Sequence, residues 1–186
     1  MLRNTPTSWG AVARLFHWAG AALIAVLLAH GFWMAELAPR EVRFANYSWH
    51  ASTGYALLVL MIARLAWRWS GTVPAPPART STSASLAAHA GHWGLYLLIL
   101  ASSLTGWALA GAMRRPLDAK LFGLFPVPPI VPGPDRALHD RLEDVHSALA
   151  WMLLLLVAIH IGAAFFHLLV RRDGVMERML SPRARG

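Results

Sequence analysis

Cysteine is absent from the 186 residues of this chain. Without thiolates the chain cannot attach a c-type haem, hold a cysteine-ligated iron–sulfur cluster or a thiolate zinc site, or form a disulfide bond. Charged residues are also scarce: they make up 14% of the chain, whereas soluble domains carry about a quarter. Together with a hydrophobic fraction of 56%, this composition predicts an integral membrane protein, and the length predicts a single domain over residues 1–186.

Four apolar stretches are long enough to cross a bilayer, which takes about 20 residues of helix. They are Leu15–Leu37, Ser48–Trp69, His92–Met113 and Val145–Val170. The second is followed by the linker GTVPAPPARTSTSAS, which we predict to be non-helical, and the third by a proline-rich segment over residues 114–144. The apolar middle of that segment, LFGLFPVPPIVP, is too interrupted by proline to span a bilayer and is expected to lie in the membrane interface. We therefore predict an all-α membrane protein, a four-transmembrane-helix bundle with both termini on one side.

Positive charge is concentrated on the side that holds the termini. Ten of the 17 basic residues lie there: Arg3, Arg14, Arg64, Arg68, Arg79, Arg171, Arg172, Arg178, Arg183 and Arg185. The acids on that side are Asp173 and Glu177, whereas basic and acidic residues cancel on the other side. Because cytoplasmic loops carry an excess of arginine and lysine, both termini are predicted to be cytoplasmic. This distribution also explains the net charge of +8 without a nucleic-acid partner.

The fourth span carries two histidines that leave the helix on one face. His146 and His160 are fourteen residues apart, which is about 40° short of four full turns and about 21 Å along the axis. An imidazole in hydrocarbon is costly and requires a partner. The spacing therefore indicates two sites at different depths.

The other spans offer one partner at each depth. His50 opens the second span on the outer side, level with His146, and His17 lies near the cytoplasmic start of the first span, level with His160. Imidazole is a good ligand for iron, and helical bundles build cofactor sites from facing helices. We predict that these four histidines ligate the iron of two haems. Small residues one turn away leave room for a porphyrin beneath the rings: Gly20, Ala21, Gly54, Ala150 and Ala164.

Two arginines could bind the carboxylates of the inner haem. Arg14 is one turn before His17, and Arg64 is fourteen residues after His50 on the same face. Both could instead be anchors of the positive-inside rule, and the sequence leaves the two interpretations open.

The remaining histidines have no assigned role. His30 and His139 are expected to be interfacial surface groups. His89, His92 and His167 lie at the cytoplasmic boundary, where they could bond haem carboxylates, line a quinone pocket or contact headgroups.

These segments resemble the bacterial cytochrome b561 family over almost the whole chain. The residues that carry the resemblance are RLFHW, SWHASTGYALLVLMIARLAWRW, AHAGHWGLYLLILASSLTGW and VHSALAWMLLLLVAIHIGAAFFHLLVRRDGVMERML. The resemblance implies a di-haem b protein of the cytoplasmic membrane whose ligand positions fall on His17, His50, His146 and His160. It also implies a quinone-linked electron carrier, and for short members superoxide oxidation coupled to reduction of ubiquinone.

Three functions are therefore weighed. The first is a superoxide:ubiquinone oxidoreductase, in which Arg114, Arg115 and Lys120 could steer superoxide or another small donor to the outer face. The second is a membrane anchor subunit that passes electrons between quinone and a partner dehydrogenase or hydrogenase. The third, a histidine-based metal or proton transporter, is disfavoured because the spans lack broken midplane helices and acidic midplane residues.

Overall fold

Four long helices make up most of the computed structural model, which describes residues 1–77, 80–114, 117, 120–131 and 133–180. The helices are α1 (Ala11–Phe32), α2 (Arg40–Trp69), α3 (Thr82–Ala112) and α4 (Arg136–Phe166). A single π-helical turn extends α1 over Trp33–Leu37 and α4 over His167–Arg171, and a short α5 follows at Glu177–Leu180.

Each predicted span lies on one of these helices, but all four helices begin earlier than predicted. α3 starts at Thr82, so the prediction that the TSAS end of the linker is non-helical was wrong. The Ser81 hydroxyl accepts a hydrogen bond from the Ala84 amide at 3.3 Å, and the Asp135 carboxylate accepts one from the Leu138 amide at 3.0 Å. These caps bond amides that face water, so they lie outside the apolar stretches. Hydropathy alone therefore does not locate the starts of the helices.

Three of the four long helices are apolar and long enough to cross a membrane, among the residues that the structure describes. They are Ala11–Leu37, Thr82–Ala112 and Arg136–Arg171, counting the π-helical turns. α2 is also 30 residues long but less apolar, since it carries Arg64 and Arg68 in the stretch predicted to span. The four-span count therefore stays a prediction.

The bundle is packed in chain order: α2 contacts α1 and α3, and α4 contacts α3 most extensively. The buried core is a layer of side chains from three helices: Leu57, Met61, Leu65, Tyr96, Ile99 and Leu153. Leu23, Ile24 and Leu27 of α1 pack against this layer. Leu153 lies midway along α4 between His146 and His160, so the core occupies the middle of the bundle, with one of these histidines on each side.

The loop between α3 and α4 contains a small antiparallel hairpin that the sequence did not predict. Strand β1 (Lys120–Leu121) pairs with strand β2 (Phe125–Pro126), with Leu121 opposite Phe125. The Ser52 hydroxyl of α2 donates to the Lys120 carbonyl at 2.7 Å, and this bond fixes the hairpin to the bundle.

The terminal segments and the α2–α3 linker meet at the opposite end of the bundle. The Asn4 side chain donates to the Thr72 carbonyl at 2.8 Å, and the Ala75 amide donates to the Pro6 carbonyl at 2.9 Å. Arg178 of the C-terminal tail donates to the Ala75 carbonyl at 2.9 Å. These bonds hold three segments that are distant in sequence over the same end of the bundle.

Replacing Met61 should reveal how much the core layer contributes to stability. Met61 is 1% exposed, so Met61→Ala leaves a cavity and should lower the free energy of unfolding by about 2–5 kcal/mol. Unfolding by mixed-micelle titration, followed by circular dichroism, measures this change. Ile62→Ala is the matched control, because Ile62 is the next residue, is 56% exposed and should change stability far less. Equal effects of the two substitutions would contradict the assignment of the core.

Candidate functional site

His50 and His146 face each other at the end of the bundle away from the termini. Their ring centroids are 6.2 Å apart, with the ring planes at 85°. Two glycines let neighbouring helices approach these rings closely. A Cβ atom on Gly31 of α1 would lie 3.3 Å from Cε1 of His50, and one on Gly106 of α3 would lie 3.0 Å from Cε1 of His146. Both contacts leave no room for a larger residue without movement of the ring.

Thr105 and the Ser102 carbonyl are the hydrogen-bond partners of His146 among the described residues. The Thr105 hydroxyl donates to the Ala101 carbonyl at 2.8 Å and lies 3.3 Å from Nδ1 of His146. With its proton directed to the carbonyl, the hydroxyl oxygen is an acceptor for Nδ1–H of His146. Nε2 of His146 then keeps its lone pair, which is the state that a metal-bound imidazole needs.

His50 has a third histidine beside it. The His30 ring lies 5.8 Å from the His50 ring, stacks on Trp33 at 5.8 Å and hydrogen-bonds the Asn46 side-chain oxygen at 3.1 Å through Nε2. Nδ1 of His50 is buried without a hydrogen-bond partner among the described residues. His30, which we expected to be an interfacial surface group, is therefore in contact with the outer histidine pair.

Three histidines also meet at the end of the bundle that holds the termini. The His17 and His160 rings are 6.2 Å apart at 59°, and the His92 and His160 rings are 5.6 Å apart at 67°. Arg64 donates to Nδ1 of His17 at 3.2 Å, and its guanidinium lies 5.5 Å from the centre of the Tyr96 ring. The structure thus brings the predicted inner pair together and adds His92.

Both pairs join helices that are not close neighbours. Within the described part of the chain, extensive backbone contacts link each long helix to the next one in sequence, whereas α4 has few with α1 or α2. His17 and His160 connect α1 with α4, and His50 and His146 connect α2 with α4. A Cβ atom on Gly54, one turn after His50, would meet nothing within 4 Å. The space beside this glycine is open, and its use by a porphyrin stays a prediction.

The other predicted residues have varied surroundings. Arg14 donates to the Trp9 carbonyl at 3.1 Å, and His89 bonds the Ser85 carbonyl at 2.8 Å. His167, for which the sequence suggested no partner, pairs with Asp173 at 2.7 Å. Three residues near the start of α4, one half-buried and two exposed, could hold a metal ion: His139, Asp140 and Glu143. In the proposed steering cluster Arg114 is exposed, and Arg115 lies outside the described residues.

Sequence analysis did not identify Thr105, Gly106 or Gly31 as part of a site. The short motif LTGW places Thr105 and Gly106 next to each other on a helix. Both residue types have low helix propensity, so their presence within a helix indicates a packing role. Which ring they contact depends on the rotation of α3 in the bundle, and the sequence alone does not specify that rotation.

The chain matches a family profile for prokaryotic cytochrome b561 over residues 8–182. It belongs to the prokaryotic cytochrome b561 family. Among curated relatives, cytochrome b561 homolog 2 of Escherichia coli K12 is 32% identical over 178 residues, or 95% of this chain and 93% of the relative. A probable superoxide oxidase CybB of Yersinia pestis is 31% identical over 175 residues, or 91% and 93% of the two chains. Cytochrome b561 homolog 1 of Escherichia coli K12 is 33% identical over 138 residues, or 72% and 74%.

Membership in the cytochrome b561 family implies that the protein binds haem b and takes part in membrane electron transfer. The distances within the two histidine pairs fit a haem b iron between each pair of rings. A metal between two imidazoles with bonds of about 2 Å places the ring centres roughly 6 Å apart. Both pairs have a separation of 6.2 Å, and the Nε2 lone pair of His146 is available.

Replacing Thr105 should weaken haem binding at the outer pair of this b561 protein. Thr105→Val keeps the shape of the side chain but removes the side-chain acceptor beside Nδ1–H of His146, and loss of such a partner typically weakens metal binding about 10–100-fold. Haem per purified chain, measured by pyridine haemochromogen during stepwise reconstitution, reports the change. Thr53→Val is the matched control, because the Thr53 hydroxyl donates to the Trp49 carbonyl of its own helix at 2.9 Å. An unchanged affinity in Thr105→Val would exclude this role.

Proposed function

We propose that this protein is a di-haem b electron carrier of the bacterial inner membrane, with four spans and cytoplasmic termini, that oxidises superoxide and reduces ubiquinone. The observation that carries the proposal is the repetition of one geometry: two histidine pairs, each with ring centres 6.2 Å apart, at the two ends of one bundle. The buried apolar layer around Met61 and Leu153 separates them.

Each pair would hold one haem. His50 and His146 would be the ligands of the outer haem, and His17 and His160 those of the inner haem. A haem b iron supplies reversible one-electron chemistry when it is bound. Two imidazoles per iron leave no coordination position for a substrate, so the site favours electron transfer over oxygen binding.

Arg64 would change partner at the inner site. A guanidinium only donates hydrogen bonds, so Nδ1 of His17 accepts in the observed contact and Nε2 carries the proton. A metal-bound imidazole instead presents a bare Nε2 and donates from Nδ1. Coordination by His17 therefore requires the Arg64 contact to open. The released guanidinium would then be placed to pair with a haem carboxylate, as its planar donor geometry favours.

His92 is a second candidate for the inner ligand set, because its ring is nearer to His160 than the His17 ring is. The family resemblance supports His17. The packing supports it too, since His92 lies on α3, which already packs against α4 and leaves less space for a porphyrin between the two helices.

The superoxide assignment rests on the substrate named for a relative and on a local group of three basic residues in the loop between α3 and α4. The Yersinia pestis relative carries the name of a probable superoxide oxidase and aligns with almost the whole chain. In the reaction two superoxide ions lose one electron each to give two O₂, and one quinone takes up two electrons and two protons. The basic residues Arg114, Arg115 and Lys120 would attract the anion locally.

Single replacements of His146 and His160 should remove different haems. The wild-type chain is expected to hold two haem b, counted from the reduced-minus-oxidised spectrum and the protein concentration. His146→Ala and His160→Ala should each retain one, with different midpoint potentials. His139→Ala is the control and should retain both, because His139 lies at the exposed start of α4. Loss of the same haem in both variants would refute the pairing, and a chain without haem b would end the proposal.

The donor can be identified with the purified chain in vesicles. Superoxide generated enzymatically should reduce ubiquinone in a stoichiometry of two to one, and the rate should fall severalfold at low salt when the three basic residues of the outer loop become glutamate. A chain that holds two haems but does not oxidise superoxide, and that copurifies with a stoichiometric dehydrogenase or hydrogenase, would instead be an anchor subunit.

A further inference from the structure

We propose that the tip of the β1–β2 hairpin, Phe122–Phe125, inserts into the lipid headgroup region at the end of the bundle away from the termini. The inference rests on the membrane location of the bundle, but not on its haem content or on its electron donor. Four features of the hairpin lead to it: backbone strain, exposure, position and size.

The turn contains a phenylalanine where the backbone disfavours one. The Leu124 amide donates to the Leu121 carbonyl at 3.1 Å, and the two central residues have positive φ, 50° at Phe122 and 75° at Gly123. This is the geometry of a type I′ turn, whose first central position favours asparagine, aspartate or glycine. In water, nothing would offset the strain of an aromatic residue at this position. Phe122 therefore indicates a contact that compensates for the strain.

The tip presents only apolar side chains. Phe122 is 49% exposed, Leu124 75% and Phe125 66%. No charged residue occurs between Leu121 and Val131. Exposed hairpins in water usually carry charges that prevent association, and the absence of charge here fits an apolar surrounding.

Contacts with the bundle place the tip level with the membrane boundary. The Phe122 ring lies 6.4 Å from the ring of Trp49, which is 64% exposed and lies on α2 at the start of the predicted second span. Beyond the hairpin, the Trp107 indole donates to the Pro128 carbonyl at 3.0 Å near the outer end of α3. Tryptophans at the ends of spans mark the headgroup layer, so the hairpin lies beside that layer.

The size of the tip favours lipid over a protein partner. A stable protein interface buries about 800 Å² on each side. A large side chain buries at most about 150–250 Å², and the three at the tip are each already partly covered. Three such groups are too few for a stable protein contact, but they are sufficient to hold a short hairpin in the apolar part of the headgroup region.

Because the chain has no cysteine, single spin labels report the depth of the tip directly. Leu124→Cys, Asp140→Cys and Leu104→Cys would be labelled in the full chain, in vesicles of phosphatidylethanolamine and phosphatidylglycerol. The quantity measured is the accessibility of the label to oxygen divided by its accessibility to a water-soluble nickel complex. This ratio should be severalfold higher at position 124 than at position 140. It should be closer to the ratio at position 104 on α3. Equal ratios at positions 124 and 140 would overturn the proposal.

A second substitution separates lipid contact from simple loss of folding. Phe122→Asn relieves the strained turn and should preserve the hairpin, yet it should lower the accessibility ratio of the label at position 124. An unchanged ratio would contradict insertion. Spin–spin broadening at position 124 that disappears on dilution with unlabelled chain would show a contact between two copies and would also overturn the proposal. None of these results depends on haem, so the proposed function can fail while this inference stands.

Discussion

An imidazole inside an apolar bundle is costly unless its ring nitrogens have partners, and this constraint shapes the whole molecule. The chain places histidines from different helices opposite one another at two levels, where a bound iron would give one nitrogen of each ring a partner. Each level lies on one side of the layer formed by Leu57, Met61 and Leu153, which provides the close packing that holds the helices in register. The polar sites are thus at the ends of the bundle, and the apolar core lies between them.

The two levels are built from different supporting groups. The His50–His146 pair is approached closely by two glycines and lies beside Thr105, which is neutral and fixed by its own helix. The His17–His160 pair lies beside Arg64, a cation that contacts both His17 and the Tyr96 ring. In the proposed di-haem state Arg64 would leave His17 and pair with a haem carboxylate, which would offset its charge. The two sites would therefore differ in surrounding groups that ligate neither iron.

The sequence was sufficient to predict the histidine pairs, since helical periodicity gives the face and the direction of each span gives the depth. It could not separate His17 from His92 as neighbours of His160, because both lie at the same depth and only the arrangement of helices brings each ring into place. Thr105 was missed for a similar reason: a threonine within a helix usually bonds its own backbone, and here it does so while also contacting His146. The hairpin was missed because a type I′ turn with phenylalanine lacks the usual asparagine–glycine signal.

The packing order links cofactor binding to the assembly of the bundle. Among the described residues, the backbone of α4 lies close mainly to α3. Its side chains reach α1 and α2 at the core layer around Leu153, at the Phe32–Trp151 ring contact and at the two histidine pairs. If both pairs hold haem as proposed, each iron would join α4 to a helix with which it has few backbone contacts. Ligand binding that occurs only in the folded state adds its free energy to stability. In this bundle the added stability would act between α4 and the helices α1 and α2, so α4 would be both the shared wall of the two sites and a helix whose position depends on them.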